Sequence, residues 1–341
     1  MTGKPTIAVI GAGMVGACCG LYLQREGFEV TIIDRDGPGE AASFGNLGSF
    51  GIASCVPGAM PGILKKVPGM LLDSEAPLKI RWGYAARALP WFLRFLQQSR
   101  RENVEANASA RQSLLDKVHE GIDPLVADAE ATHLMNQAGL LFTFESEAAF
   151  EGASYAFDLR RRNGAFLDVL DGNEARQVEP ALSPNVVRGI RVPNLTHTFD
   201  PLRLVQALAT LFERNGGRVE RRSVRGFETG PDGVRTIRTD AGDLPVENVV
   251  LAAGVWSREL AAMLGTKVPL EAERGYHVMF HGTETKVNSA VLSVDRYLAV
   301  TPMLEGIRAG GTAEFAGVDA PPRFEIAQSV RRHAEALFPG I

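Results

Sequence analysis

Three glycines near the start of the chain have the spacing of a dinucleotide-binding turn. Gly11, Gly13 and Gly16 follow the apolar run 7–10 and open a segment whose apolar residues recur every three or four positions. In such a turn one glycine permits the tight bend, one lets the backbone approach a pyrophosphate, and one lets helix and strand pack closely. The pyrophosphate would bind N–H groups at the helix start. The spacing therefore predicts a strand, a glycine turn and a helix that hold a dinucleotide.

A carboxylate stands at the distance that this turn requires. A second, β-branched run at 30–33 ends at Asp34, 23 residues after Gly11. At the end of a second strand, a carboxylate can accept hydrogen bonds from a ribose diol. By hydropathy alone, the uncharged stretch 5–24 would also suit a membrane span or a signal sequence. The glycines and the charge at Asp34 fit that alternative poorly.

Other residue types that carry chemistry form no recognisable site in the sequence. His277 and His281 are four apart, but RGYHVMFH is typical of a strand, in which four residues span about 13 Å, too far to share one ion. The remaining histidines are scattered, and neither a GxSxG nor an HExxH motif occurs. We therefore predict no metal site and expect a cofactor to supply the chemistry.

The composition is that of an ordinary globular protein. With 341 residues, of which 45% are hydrophobic and 22% charged, the chain is long enough for two domains or one large one. A net charge of −4 argues against a general nucleic-acid partner. The 3 cysteines are odd in number and lack CxxC spacing, which indicates a reducing compartment and a cytoplasmic location.

A loop of small residues favours a flavin over a nicotinamide. The segment GPGEAASFGNLGSFG, residues 37–51, contains Ser43, Asn46 and Gly48 where a nicotinamide enzyme would normally continue into its next strand. Small residues with spare N–H groups allow close backbone approach to a large planar ring and its phosphates. A flexible surface loop is the alternative interpretation of the same residues.

Later segments could return to the same site. Asp200 followed by Pro201 predicts the start of an amphipathic helix, and a new strand is predicted at Arg218. A short meander should then lead into a buried strand at 249–252, whose small terminal residues could meet a ligand. Before these segments, the sequence predicts helices from about Trp91 to Ala131 and a strand at 139–144. There is no internal repeat or low-complexity linker.

Together these motifs resemble the FAD-dependent amino-acid oxidoreductases of the D-amino-acid oxidase superfamily. The resemblance rests on the glycine turn, SFGNxG at 43–48, AGxWS at 253–257 and GGTAEFAG at 310–317. It covers nearly the whole chain and is nearest to the bacterial D-amino-acid dehydrogenase branch, which includes hydroxyproline dehydrogenases. It implies an α/β fold, in which a Rossmann-type, glutathione-reductase-like FAD-binding domain is interleaved with a mixed-sheet α+β substrate domain.

Breaks in composition divide the chain between the two implied domains. We assign 1–65, 196–265 and 306–341 to the FAD-binding domain, and 66–195 and 266–305 to the substrate domain. Family members continue beyond the equivalent of Phe338 into a Gly-x-Arg-Pro and Pro-Asp segment that closes over the flavin. We therefore expect this chain to lack that segment, to bind FAD weakly or not at all, and to turn over poorly.

The resemblance also implies which residues contact FAD. The implied set is Gly11, Gly13, Met14, Val15 and Gly16 at the pyrophosphate, Asp34 and Arg35 at the adenosine ribose, Ser43, Asn46, Leu47 and Gly48 along the flavin, Val224 at the adenine through its backbone, and Ala253, Gly254 and Trp256 at the phosphate and flavin edge. Val224 is expected at the end of a strand that begins at Arg218.

Candidate substrate residues follow from the chemistry of amino-acid oxidation. The Cα–H bond must be held against flavin N5 while the carboxylate is fixed, and an Arg fork supported by a Tyr hydroxyl holds a carboxylate best. Alternation along RGYHVMF puts Arg274 and Tyr276 on one face and His277 on the other. Arg296 and Tyr297 should face oppositely, so only one of them can lie in the site. Arg274, Tyr276, Arg296 and Tyr297 are thus the candidate catalytic residues.

The implied activity is that of an FAD-dependent dehydrogenase or oxidase that converts a D-amino acid or cyclic secondary amine into an imine. A nicotinamide-dependent dehydrogenase and a non-catalytic flavin-fold subunit are the alternatives. The electron acceptor, a quinone or oxygen, is left open. The apolar run 56–72 with Lys65 and Lys66 could make peripheral contact with the inner face of a membrane, or pack on its own domain.

Overall fold

The glycine turn lies between a strand and a helix. A computed structural model of the chain describes residues 5–73, 75 and 77–341. In it, strand Thr6–Ile10 leads into the turn, and helix Met14–Arg25 and strand Glu29–Asp34 follow. The two strands are apolar and almost wholly buried because helices cover a parallel sheet on its faces. The predicted order of strand, turn, helix and strand is confirmed.

The described part of the chain contains many short strands and helices. The strands, in chain order, are β1 (Thr6–Ile10), β2 (Glu29–Asp34), β3 (Ser49–Phe50), β4 (Leu78–Ile80), β5 (Met135–Asn136), β6 (Leu140–Phe144), β7 (Asp168–Asp171), β8 (Arg188–Val192), β9 (Thr196–Thr198), β10 (Arg218–Arg221), β11 (Val224–Gly230), β12 (Gly233–Thr239), β13 (Leu244–Pro245), β14 (Asn248–Leu251), β15 (Arg274–Phe280), β16 (Ala290–Ser293), β17 (Leu298–Met303) and β18 (Gly306–Phe315). The helices are α1 (Met14–Arg25), α2 (Ile63–Leu72), α3 (Trp82–Gln97), α4 (Arg101–Leu115), α5 (Val118–Asp128), α6 (Glu147–Gly152), α7 (Ser154–Arg162), α8 (Gly172–Val178), α9 (Pro201–Arg214), α10 (Ser257–Met263) and α11 (Ile326–Leu337), with short 3₁₀ turns at Thr132–Leu134 and Gly254–Trp256.

Contacts divide the chain into two units, each made of three segments. Unit 1 contains the residues up to Asn46, Glu120–Leu134 and Asp200–Leu270; unit 2 contains Leu47–His119, Met135–Phe199 and Glu271–Ile341. These bounds differ from those expected from composition, which put 306–341 in the FAD-binding domain. The difference arises because β18 pairs with β15 and β17, which places it inside the unit 2 sheet.

Unit 1 is built on a four-stranded parallel sheet in the order β10-β2-β1-β14. Helix α9 is capped by Asp200, whose carboxylate accepts a hydrogen bond from the backbone N–H of Arg203 at 3.0 Å. A separate antiparallel sheet, β11-β12-β13, is the predicted meander. Val224 begins this second sheet, so the expected strand from Arg218 to Val224 is wrong: β10 ends at Arg221, and the chain leaves the parallel sheet there.

Unit 2 is built on a mixed sheet in the order β15-β18-β17-β16-β6-β8-β7, with β4 beside β18. One face packs on the core that contains Val291, Val300, Ile307 and Ala309, together with residues of α11. The opposite face, around β6 and β8, packs on a second core that contains Phe142 and Phe157. The small sheet β3-β9-β5 also belongs to this unit.

The middle of the chain is helical, as predicted. Helices α3, α4 and α5 cover most of the expected stretch, and β6 forms at the predicted strand. From Glu120 onward, helix α5 belongs to unit 1, where the Tyr22 hydroxyl donates to the carbonyl of Gly121 at 2.8 Å and Arg25 pairs with Asp128 at 2.7 Å. Within residues 5–73, 75 and 77–341, none of the helices has both the length and the apolar character needed to cross a bilayer.

Candidate dinucleotide site and substrate face

The glycine turn of unit 1 has no room for side chains. Gly11 has a φ of +113°, and a Cβ atom there would overlap the carbonyl of Ala252 at the end of β14. A Cβ at Gly16 would overlap the Gly11 carbonyl, so only glycine lets α1 start this close to β1. Gly13 is the N-cap of α1 and supplies no capping side chain. The N-cap residue itself therefore satisfies none of the N–H groups at the start of this helix, where an anion can bind.

Ser43 lies at the start of this helix. Its hydroxyl accepts a hydrogen bond from the N–H of Met14 at 3.1 Å, and a Cβ atom at Gly13 would come within 3.0 Å of it. The side chain of Asn46 donates to the carbonyl of Ser43 at 2.9 Å, which braces the loop. An anion in the position of this hydroxyl could accept a hydrogen bond from the same Met14 N–H. The neighbouring residue Val15 is 64% exposed.

Asp34 is held beside the turn. One of its carboxylate oxygens accepts from the N–H of Ala12 at 2.7 Å, and the other accepts from the N–H of Asp36 at 2.9 Å. These bonds fix the orientation of the carboxylate at the end of β2. Each carboxylate oxygen has a further lone pair for a hydroxyl donor. The geometry is compatible with the predicted ribose contact.

Residues that follow β14 complete this side of unit 1. The N–H of Ala252 donates to Ile10 at 2.8 Å, and Gly254 then adopts a φ of +55° as the chain turns into α10. Trp256 lies under the guanidinium of Arg35, whose central carbon is 4.2 Å from the ring centroid. The structure therefore brings Arg35 and Trp256 together, although they are 221 positions apart in sequence.

Leu47 and Gly48 belong to unit 2. Gly48 has a φ of +70° and its carbonyl accepts from Thr198 at 2.8 Å, which ties the loop to β9. In β9, His197 is fully buried, and its Nδ1 atom has no hydrogen-bond partner in the described structure. Burial lowers the pKa of His197 from 6.5 to about 4. The ring is therefore neutral at physiological pH.

Arg274 and Tyr276 converge, but on a carboxylate of the protein itself. Glu314 is fully buried; it accepts from the Tyr276 hydroxyl at 2.5 Å and from Arg81 at 2.9 Å, and Arg274 lies 3.6 Å away. The Tyr276 hydroxyl accepts in turn from the N–H of Arg323 at 2.9 Å. Burial acts to raise the pKa of Glu314, but these hydrogen bonds and cations keep it below its ordinary value. Glu314, which the sequence reasoning did not single out, occupies the expected clamp.

The expected alternation of Arg296 and Tyr297 is wrong. Both residues lie in the turn that joins β16 to β17, where side chains do not alternate between two faces. Arg296 makes a two-pronged ion pair with Glu145, at 2.5 and 2.7 Å. Tyr297 has a φ of 51°, unusual for a bulky residue, and is 46% exposed.

The pairing register shows which face of the unit 2 sheet bears the loop. Leu47 lies over Gly310, where an added Cβ would meet it at 3.3 Å. His277 and Ala299 pair with Gly310, so they share its face. Tyr276 instead pairs with Gly311, on the side of Ile307 and Ala309, which is filled by core. Tyr276 and His277 thus lie on different faces, as alternation predicts, but the face that bears Leu47 is that of His277.

Arg308 is a buried cation on this face, and it was not predicted from the sequence. It pairs with Met279 on β15 and Thr301 on β17. The residue is 7% exposed, and its Nε donates to the Met279 sulfur at 3.2 Å. Arg308 could have been predicted from its position two residues before Gly310, because residues two apart in a strand share a face.

The residues of unit 1 fit an FAD molecule by three independent features. The turn excludes side chains, the start of α1 is uncapped by its own N-cap residue, and an oriented carboxylate stands at the end of the second strand. All three are properties of a dinucleotide cradle. When bound there, FAD supplies the two-electron acceptor that the side chains themselves lack.

Comparison with known proteins identifies the fold and the family. The family model described as FAD dependent oxidoreductase matches residues 6–341. A D-amino-acid oxidase of Bradyrhizobium diazoefficiens is 36% identical over 336 residues, which are 98% of this chain and 80% of the relative. A D-amino acid dehydrogenase of Paramagnetospirillum magneticum is 31% identical over 344 residues, or 98% and 81% of the two chains.

Solved structures agree on the fold. Glycine oxidase from Bacillus cereus has a TM-score of 0.68 at 18% identity, and the match covers 98% of this chain and 78% of that one. L-Proline dehydrogenase from P. horikoshii has a TM-score of 0.67 at 19% identity, with 99% and 78% covered. The predicted arrangement of a Rossmann-type FAD-binding domain interleaved with a mixed-sheet domain is confirmed. The chain belongs to the family of FAD-dependent oxidoreductases.

Proposed function

We propose that the chain oxidises the Cα–N bond of a D-amino acid or a cyclic secondary amine to an imine. The observation that carries this proposal is the glycine cradle of unit 1 in a chain of the FAD-dependent family. The names of the two relatives, D-amino-acid oxidase and D-amino acid dehydrogenase, support the substrate class. The family match argues against a nicotinamide-dependent dehydrogenase, since the family is described as FAD dependent.

The residues of unit 1 would hold FAD by its ADP half. N–H groups at the start of α1 and the Ser43 hydroxyl would bind the pyrophosphate. Asp34 would accept from the ribose, and the stacked Arg35 and Trp256 would flank the cofactor. Val224 starts a strand of the second sheet, and a contact between its backbone and the adenine stays a prediction.

We propose the face of His277 and Arg308 as the substrate face of unit 2. A substrate carboxylate needs a cation at a site that excludes water, and the buried guanidinium of Arg308 lies beside the small residues Ala299 and Gly310. Arg274, Tyr276 and Arg296 are engaged by Glu314 and Glu145, which favours structural roles for them. Tyr297, in the turn before β17 and 46% exposed, stays a candidate for a supporting hydroxyl.

Flavin reduction tests this proposal directly. The purified chain, supplied with FAD, should show flavin absorbance, and a panel of D-amino acids and cyclic secondary amines should bleach it in the absence of oxygen. Replacing Arg308 with Lys keeps the charge but loses the planar fork, so it should raise the substrate concentration needed for half-maximal bleaching. A matched control is Arg235→Lys, which alters an exposed arginine of unit 1. Bound flavin that no amine bleaches would favour a non-catalytic flavin-fold subunit.

The electron acceptor is part of the same proposal. An oxidase and a dehydrogenase differ in whether oxygen or a quinone takes electrons from the reduced flavin. After anaerobic bleaching, admission of oxygen should restore the absorbance at once for an oxidase, whereas a dehydrogenase should need an added quinone. Peripheral contact with a membrane, where quinones reside, would accompany the dehydrogenase activity. The run 56–72, earlier singled out for such contact, includes α2; the side chain of Lys66 lies outside the described residues.

A further inference from the structure

Helix α3 presents an apolar stripe to solvent. Trp82 is 75% exposed, Leu89 53% and Leu93 54%, and Ala86 and Pro90 beside them are also exposed. These five positions recur at intervals of three and four residues, so they lie on one side of the helix. Single exposed leucines are common on proteins, but a continuous apolar stripe about three turns long indicates an interaction surface.

The opposite side of α3 already provides its packing. Trp91 and Phe92 lie against Phe315 with ring centroids 5.4 and 5.0 Å apart, and the Tyr84 hydroxyl donates to Glu271 at 2.7 Å. The helix is therefore anchored in unit 2 by one side while the stripe faces away. Anchoring makes the exposed positions a fixed surface rather than a frayed end.

The charges of the segment that carries the stripe are of one sign. Residues 78–101 contain 6 lysines and arginines and no acidic residue, although the whole chain has a net charge of −4. On α3 itself, Arg87 and Arg94 are exposed and lie along one border of the stripe. Arg81 is used internally, because it pairs with Glu314. An exposed apolar stripe with Trp at one end and cations along its border suits a surface that is apolar within and negative at its edge.

We propose that the exposed side of α3 docks on the surface of an anionic lipid bilayer, with Trp82, Leu89 and Leu93 inserted among the headgroups and Arg87 and Arg94 on the lipid phosphates. Tryptophan is favoured at the level of the headgroups because its ring is apolar and its N–H is polar. The bordering arginines add attraction that depends on anionic lipid and weakens with salt. This surface goes beyond the proposed oxidation and does not depend on it.

Sedimentation with vesicles tests the surface. The chain should sediment with vesicles that contain about 30 mol% phosphatidylglycerol, but weakly with pure phosphatidylcholine, and about 0.5 M NaCl should weaken the binding. Tryptophan fluorescence should shift to the blue on binding, and the shift should vanish in Trp82→Phe. The double variant Leu89→Asp, Leu93→Asp should bind at least tenfold more weakly, and so should Arg87→Glu, Arg94→Glu.

Matched controls separate the stripe from general stickiness. Leu114→Asp changes a leucine that is 74% exposed on α4, and Arg235→Glu reverses an exposed arginine of unit 1; neither should alter vesicle binding. Circular dichroism and the melting temperature show that every variant is folded, and flavin bleaching in solution should be unaffected by the α3 changes. Equal binding to neutral vesicles, or undiminished binding of the double variants, would overturn the proposal. Self-association that Leu89→Asp, Leu93→Asp abolishes, without vesicle binding, would instead assign the stripe to a contact between copies.

Discussion

The Glu314 cluster allows a sharp test of whether Arg274 and Tyr276 are structural. Replacing Glu314 with Gln preserves the shape of the side chain but removes its charge. In Glu314, one carboxylate oxygen accepts from Tyr276 at 2.5 Å and the other from Arg81 at 2.9 Å. The amide of Gln has only one oxygen, so its NH₂ group would face one of these two donors. At least one buried donor then has no acceptor, and two cations lose their counter-charge.

The magnitude follows from burial. Glu314 is completely inaccessible, and the side chains of Arg81 and Arg274 are each 24% exposed, so solvent compensates little for the lost charge. Breaking a buried ion pair by removing one partner costs about 3–5 kcal/mol. For a chain of this size, that loss lowers the melting temperature by roughly 4–7 °C. A Glu147→Gln variant is a fair control, because its pair with Arg188 is exposed and should contribute about 0–1 kcal/mol.

The assay is thermal unfolding of the Glu314→Gln, Arg274→Lys and Tyr276→Phe variants, measured beside anaerobic flavin bleaching. We expect all three to melt earlier, while the substrate concentration for half-maximal bleaching stays close to that of the parent. The opposite result, unchanged melting with a large rise in that concentration for Arg274→Lys, would refute the structural assignment and restore the substrate clamp. Because the pKa of Glu314 is lowered in the folded state, its contribution to stability should be present above its ordinary pKa and lost as the pH falls below that value.

Three further predictions concern the cofactor site and its surroundings. Gly13→Val should abolish FAD binding in a flavin fluorescence titration, since even a Cβ would crowd Ser43. The control Gly121→Val, at an open position of α5, should still bind FAD. Stoichiometric flavin in Gly13→Val would contradict the placement of the pyrophosphate. Asp34→Asn should weaken FAD binding roughly tenfold, and an unchanged dissociation constant would count against the ribose contact. His197 has a pKa of about 4 in the folded state against 6.5 ordinarily, so the free energy of unfolding should fall by about 3 kcal/mol as the pH falls from 6.5 toward 4. Chemical denaturation at several pH values should show a smaller fall for His197→Gln. An equal fall in both proteins would show that His197 is not the titrating group.

The cofactor half of the molecule could be predicted from sequence because its signals are local. The bend at Gly11, the closeness of Gly16 to it and the start of α9 at Asp200 depend on residues within a few positions of each other. Their spacing therefore determines the geometry before the rest of the chain is considered. Asp34 is more distant, but a strand–helix–strand unit of regular length brings it back to the turn.

The substrate half required the tertiary structure because its contacts are set by register. Alternation correctly separated Tyr276 from His277, yet it could not show which face the core fills, since both faces of β15 carry polar residues. The register shift between Arg274 and Tyr276 brings both to Glu314, which is 38 residues beyond Tyr276 in the chain. Arg296 was likewise taken for a strand residue because the turn between β16 and β17 carries no glycine or proline.

The sequence by itself thus determined the family, the glycine cradle and the carboxylate at its edge, all of which arise from short-range spacing. Only the tertiary structure decided which arginines are paired within the protein, that Arg308 shares the face of Leu47, and that the apolar side of α3 is exposed. Each of these depends on which surface a distant segment covers, and burial of that kind is a property of the assembled chain rather than of any one stretch of it.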